Sequence, residues 1–194
     1  MLVLTHDAHL AILVLSMTIN LKDELRIRPL AESDSLEDLT DMLHRAYRVL
    51  ADMGLRFLAT YQDVDTTKSR VSSGHCFVAE LDGKVVGTIC YYEPSRKTGC
   101  DYYKKKGVAH VGQLAVEPAL SRLGIATYLM RHAEEYGRSR GMKELALDTA
   151  EPAIHLIEWY SRLGYKIVGH QQWEVTNYRS VLMSKALDDH ALPT

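Results

Sequence analysis

Cysteine, charge of one sign and long hydrophobic runs are all scarce in this chain. Only Cys76, Cys90 and Cys100 occur among 194 residues. They are too few and too far apart for a disulfide framework or a CxxC metal site, so reduced thiols in a reducing, cytoplasmic compartment are expected. The nine histidines include neither HExxH nor HxH, and no metal is expected. Lys and Arg number 23 against 25 Asp and Glu, a net charge of −2 with a pI near 6.5. No overall positive field exists to hold a long phosphate backbone, so a nucleic-acid partner is not expected. The most apolar run, LAILVL at 10–15, is far short of the roughly 20 residues that span a bilayer. The first lysine or arginine is Lys22, so the basic start of an export signal is missing and no membrane association is expected. Repeats, low-complexity tracts and Gly/Ser/Pro-rich linkers are absent as well.

What is present suits one domain with a substantial core: 46% apolar and 25% charged residues. We expect a single domain over 17–194, monomeric or homodimeric, preceded by an N-terminal extension at 1–16. A short strand at 25–30 leads through Ser33, Asp34 and Ser35, which offer an N-cap, into a helix over 36–53 that Gly54 ends. A second, short helix fits 65–72. Strands at 75–81 and 84–92 flank Asp82-Gly83, a two-residue hairpin signal. A polar loop over 94–106 carries the basic run Lys104-Lys105-Lys106, read as solvated. A strand at 110–116, a helix over 123–140 closed by Gly141, a strand at 144–148, a helix over 153–163 closed by Gly164 and strands at 165–168 and 180–184 complete the order. The pattern gives an α+β fold with a mixed, largely antiparallel sheet flanked by helices.

Segment 113–127, QLAVEPALSRLGIAT, carries the chemistry. A strand ends at Val116, a tight loop follows, and Gly124-Ile125-Ala126 opens an amphipathic helix. Small residues at 124 and 126 let a ligand approach the backbone, and the free amides of Leu123 to Thr127 form an anion cradle at the positive end of the helix, with Arg122 at its rim. A plain strand-to-helix connection would use the same residues with Gly124 serving packing alone. Neither a P-loop nor GxGxxG is present.

The segment resembles motif A of the GNAT-type N-acetyltransferases, Gln/Arg-x-x-Gly-x-Gly/Ala after a strand ending in Ala-Val. The run Tyr160-Ser161-Arg162-Leu163-Gly164-Tyr165 is similar to the same family's C-terminal signature, and the hairpin within 78–88 to its second and third strands. The resemblance covers 25–187 and implies a GNAT-like acyl-CoA N-acyltransferase fold with acetyl-CoA as co-substrate. Coenzyme would lie along Leu114, Ala115 and Val116, with the amides of Leu123, Gly124, Ile125, Ala126 and Thr127 on the pyrophosphate. Ser121 replaces the first motif residue, with Arg122 beside it, and Ala153 stands where many relatives carry Asn.

By the same resemblance Tyr160 is the acid that protonates the leaving thiolate, a phenol protonated at neutral pH. His110 is the preferred base, with Glu80, Glu93, Glu117 and Asp148 as rivals; a strict period of two puts it on one face with Gly112 and Leu114. The Val116 amide is the candidate for the oxyanion. Cys76 and Cys90 read as core thiols rather than nucleophiles. Tyr91, Tyr92, Glu93, Tyr102, Tyr103, Trp173 and Tyr178 could line a pocket for a cationic amine. The expected activity is acetyl transfer to a primary amine of a small molecule or peptide. A non-catalytic acyl-CoA-binding module and a mononucleotide-binding protein stay open beside it.

Overall fold

The computed structural model describes residues 24–187; the extension at 1–16 lies outside them. Asp82 and Gly83, with φ of 50° and 72°, make the two-residue turn that the Asp-Gly pair predicts. It joins β2 (His75–Leu81) and β3 (Lys84–Tyr92) as an antiparallel hairpin. The sheet has seven strands in the order β1-β2-β3-β4-β5-β7-β6, adding β1 (Arg26–Pro29), β4 (Val108–Val116), β5 (Glu144–Ala150), β6 (Lys166–Gln172) and β7 (Arg179–Ala186). Every neighbouring pair is antiparallel except β4 and β5. The α+β expectation holds, with β5, β6 and β7 each running past their expected ends because cross-strand pairing continues into polar residues.

Among the described residues, four helices cover the sheet. α1 (Leu36–Asp52) starts where the Ser35 side chain accepts from the Asp38 amide, the N-cap that its polar cluster predicts. Its buried stripe of Leu39, Met42 and Leu43 packs on Ala115 of β4, with the short α2 (Val64–Ser72) beside it. On the other face, α3 (Ile125–Ser139) sets Ile125, Leu129, Met130 and Ala133 against Ile89, Tyr91, Val111 and Leu145, and α4 (Ile154–Arg162) adds Tyr160 to the same core. No helix among the described residues is long and apolar enough to cross a membrane.

The run Tyr160 to Tyr165 ends α4 in a specific way. Gly164 takes φ of 93°, its amide donates to Ser161 O, and the Tyr165 amide donates back to Tyr160 O at 3.1 Å. This is a Schellman cap, which only glycine closes without strain. It holds Tyr160 in the last turn of the helix. Tyr165 continues into the core, where its hydroxyl donates to the buried Glu134, which also takes Lys185 Nζ at 2.7 Å.

Gly74, just before β2, has no room for a side chain: a Cβ there would lie 2.4 Å from Tyr91 O and 2.6 Å from the Tyr92 ring. Gly74→Ala is expected to destabilise the fold by about 1–3 kcal/mol, read as a lower urea midpoint at unchanged slope.

Candidate active site

β4 and β5 pair over only three positions, Val108 with Glu144, Ala109 with Leu145 and His110 with Ala146. Beyond them β4 stays on β3 and β5 stays on β7, so a wedge opens in the middle of the sheet. β4 also carries one extra residue opposite Ile89. Gln113 takes φ of 53° at this bulge, a left-handed conformation that costs a side chain about 1–2 kcal/mol. A buried network holds it: Gln113 Nε2 donates to Cys90 Sγ at 3.2 Å and Gln62 Nε2 donates to Gln113 Oε1 at 3.0 Å. The bulge corrects the period-two expectation. Gln113 and Ala115 turn toward α1 and α2, whereas Leu114 and Val116 join the core under α3, so Leu114 does not share a face with His110. Tyr47 of α1 reaches across and donates to Leu114 O at 3.1 Å.

The loop after β4 ends in alternating left-handed residues, Arg122 at φ of 68° and Gly124 at 84°. Gly124 is the N-cap of α3 with no side-chain cap and no acidic residue in the first turn. The amides of Leu123, Gly124, Ile125, Ala126 and Thr127 find no protein acceptor among the described residues. A Cβ added at Gly124 would meet nothing within 4 Å. The result is an open, uncapped nest at the positive end of a 15-residue helix, fitted to a phosphate-bearing group. Ser121 and Arg122 are exposed at its rim, while the Ile125 side chain turns inward.

At the mouth of the wedge the titratable groups converge. Tyr160 is buried, and its hydroxyl makes no hydrogen bond to the described residues. Burial, with Tyr47 and Asp148 nearby, raises its pKa well above the usual phenol value. Its proton is therefore retained at any physiological pH. His110 is clamped between Tyr103, parallel at 4.0 Å, and Tyr92 at 4.9 Å. Burial lowers its pKa to about 4, and its Nδ1 is buried with no partner. Asp148 accepts from Tyr103 Oη at 3.0 Å and Trp173 Nε1 at 2.9 Å. The other carboxylates weighed as bases are drawn off into ion pairs elsewhere: Glu80 with Arg28, Glu93 with Arg140, Glu117 with Arg45.

Two loops, one before α2 and one between β6 and β7, are tied together beside these groups. The Arg56 amide donates to Asn177 Oδ1 and Asn177 Nδ2 donates to Gly54 O, both at 2.8 Å, and Tyr61 Oη donates to Val175 O at 2.9 Å. Phe57 packs at a tilt against Tyr178 and Tyr47. Of the aromatics expected to line a pocket, Tyr92 and Tyr103 stack on His110, Trp173 bonds Asp148, and Tyr103 and Tyr178 are buried in core clusters. Tyr91 faces the opposite core, Tyr102 bonds Glu144, and Glu93 is on the surface with Arg140. Cys76 and Cys90 are direct cross-strand partners, free and buried, and Cys76 is held protonated by Cys90 opposite it and by burial. No cluster of His, Cys, Asp or Glu among the described residues could hold a metal ion.

Residues 36–165 match the model of the Acetyltransferase (GNAT) family. The chain belongs to the GNAT family of acetyltransferases. This GNAT enzyme is 34% identical over 148 residues to S-(2-succino)cysteine N-acetyltransferase of Bacillus subtilis (strain 168), covering 75% of this chain and 87% of that one. Its fold is shared by a GNAT family acetyltransferase from Elizabethkingia anophelis with acetyl-CoA bound (TM-score 0.62, 14% identity, 84% of this chain and 99% of that one). A Bacillus subtilis acetyltransferase in complex with CoA shares it too (TM-score 0.60, 16% identity, 84% and 98% covered). The protein is thus an acetyl-CoA-dependent N-acetyltransferase.

Three residues of the candidate site, Tyr47, Gln62 and Arg70, carry no functional signal in the sequence, nor does the bulge at Gln113. Tyr47 is spaced as a core residue of α1, and Gln113 is not a residue type that announces positive φ. Ala153, at the family's Asn position, is fully buried against Leu50, Leu55 and Tyr178.

The buried His110 has a consequence for stability. Its pKa falls from 6.5 to about 4 on folding, so between these values the unfolded chain binds a proton that the folded one does not. Stability should fall as pH drops from 6.5 toward 4, by up to about 3 kcal/mol from this group. Denaturant melts of His110→Gln should lose less across that window than wild type does.

Proposed function

We propose that the acetyl group passes directly from acetyl-CoA to the primary amine of a small molecule or peptide at the mouth of the β4/β5 wedge. The carrying observation is the coincidence, on one cleft, of an uncapped α3 N-terminus, an unpaired β4 edge and the unpartnered Tyr160 hydroxyl. The coenzyme pyrophosphate is assigned to the amides of Leu123, Gly124, Ile125, Ala126 and Thr127, with Ser121 and Arg122 at the rim. Its pantetheine arm is assigned to the backbone of Leu114, Ala115 and Val116, an added-strand mode of recognition. Acetyl-CoA supplies an activated acyl carbon and a thiol leaving group.

Attack by the acceptor nitrogen forms the amide bond and breaks the carbon–sulfur bond. Tyr160 donates the proton that the departing thiolate takes. His110, held neutral by burial, accepts the proton that the nitrogen loses, and Asp148 fixes the Tyr103 ring that stacks on it. The Val116 amide is assigned to the charge that develops on the acetyl oxygen. The S-(2-succino)cysteine N-acetyltransferase relative supports an amine of amino-acid type as acceptor. Three cysteines present as free thiols support a reducing, cytoplasmic setting.

Acetyl-CoA should raise the melting temperature in proportion to occupancy, while ATP and NAD leave it unchanged; stabilisation by ATP alone would point instead to a mononucleotide site. Tyr160→Phe should lower kcat by about 10²-fold or more with acetyl-CoA affinity and melting temperature near wild type, because that hydroxyl has no partner to lose among the described residues. Unchanged turnover in this variant would take the acid role away from Tyr160.

A further inference from the structure

Arg70 stands in the last turn of α2 and is half-buried. Other part-buried arginines are neutralised: Arg28 by Asp34 and Glu80, Arg138 by Glu134. Arg70 has no carboxylate within 4.0 Å among the described residues. Its side chain has one protein acceptor, Gln62 Oε1, at 2.6 Å from Nη1. Gln62 is 2% exposed and cannot turn away, because its Nε2 donates to Thr67 Oγ1 at 2.7 Å and to Gln113 Oε1 at 3.0 Å. The guanidinium is therefore held in place by a neutral partner that leaves its charge and most of its donors unspent.

Those donors face the site. A Cβ built on Gly112 would lie 3.6 Å from Arg70 Nη2 and 3.5 Å from the Tyr92 ring. Gly112 thus lets the guanidinium lie close against β4, on the stretch that joins His110 to the bulge, beside the Tyr92 ring that stacks on His110. A fixed charge of the other sign, Asp148, is held by Trp173 and by Tyr103, whose ring, like that of Tyr92, stacks on His110. Both charges act on Tyr47 and Tyr178: Arg70 lowers and Asp148 raises the pKa of each.

We infer that Arg70 anchors a carboxylate on the acceptor, so that this enzyme acetylates small amines that carry a carboxylate, as amino acids and short peptides do. This rests on the acetyl-transfer reading above. A planar fork opposite an anion-holding wall complements a zwitterion: the carboxylate goes to Arg70 over Gly112 and the ammonium goes toward the Asp148 and His110 side, where it is deprotonated for attack.

The test is release of coenzyme thiol from acetyl-CoA across a panel of primary amines. The panel includes phenylalanine, methionine, S-benzylcysteine and glycylglycine, each with its C-terminal amide, together with phenethylamine and spermidine. Wild type should turn over carboxylated acceptors with KM at least tenfold below that of the matching amides. In Arg70→Gln the gap should close through a rise in KM for the carboxylated member, with KM for acetyl-CoA unchanged; Arg70→Lys should restore part of it. The amide comparison in wild type stands even if a variant does not fold, which melts would report. Equal KM for acid and amide, or preference for phenethylamine or spermidine, would overturn the role of Arg70 and leave acetyl transfer intact. Acetyl-CoA binding with no turnover of any amine would instead sink the transfer reading and the anchor with it.

Discussion

Beyond His110 the inner edge of β4 carries peptide groups that no neighbouring strand takes up, because β4 and β5 separate after three pairs. A sheet interior does not tolerate such groups unless something else satisfies them. The molecule arranges its other parts around that edge. Tyr47 takes one carbonyl from the α1 side, Gln113 bulges to re-aim the strand, and α3 begins at the tip of the same strand with its amides uncapped. An extended, amide-bearing ligand with a polyphosphate end answers all of these unmet needs together. The opening charge balance, which argues against a long phosphate backbone, is compatible with this, since the nest uses uncharged N–H groups and one peripheral arginine.

The acceptor side works by a different physics. Its floor and walls are aromatic rings at stacking distances around His110, which remove water and keep the imidazole neutral. Its fixed charges are held by neutral donors and acceptors, Tyr103 and Trp173 on Asp148, Gln62 on Arg70. Charges left unneutralised in a drying pocket interact strongly with whatever enters. On the proposed assignment the coenzyme side is built from backbone, whereas the acceptor side is built from side chains.

That division explains which features could be read from the sequence. Asp82-Gly83 and the apolar stripe of α1 are local signals with local causes, and both took the expected form. The Tyr160 to Tyr165 run was legible because a Schellman cap ties its end residues by two backbone bonds around Gly164. Gly124 was legible as an opening because a bare N-cap needs a small residue near the ligand. The bulge at Gln113 was not, and with it the phase of Leu114 was lost, since one inserted residue moves every later side chain to the other face. Trp173, Tyr103 and Asp148 meet only through pairings far apart in the chain, so sequence could name the aromatics as a group but could not separate Tyr103, which enters the pocket, from its neighbour Tyr102, which bonds Glu144.

Asn177 joins the pocket's two lips by hydrogen bonds to Gly54 and to the Arg56 amide, across 123 and 121 positions of chain. Such bonds close very large loops, so they return nothing until the sheet between them has been assembled. The acceptor mouth therefore belongs to the least local part of the fold, while the coenzyme nest spans only a few consecutive residues. Partial opening at this rim would thus disturb the proposed amine site before the proposed coenzyme nest.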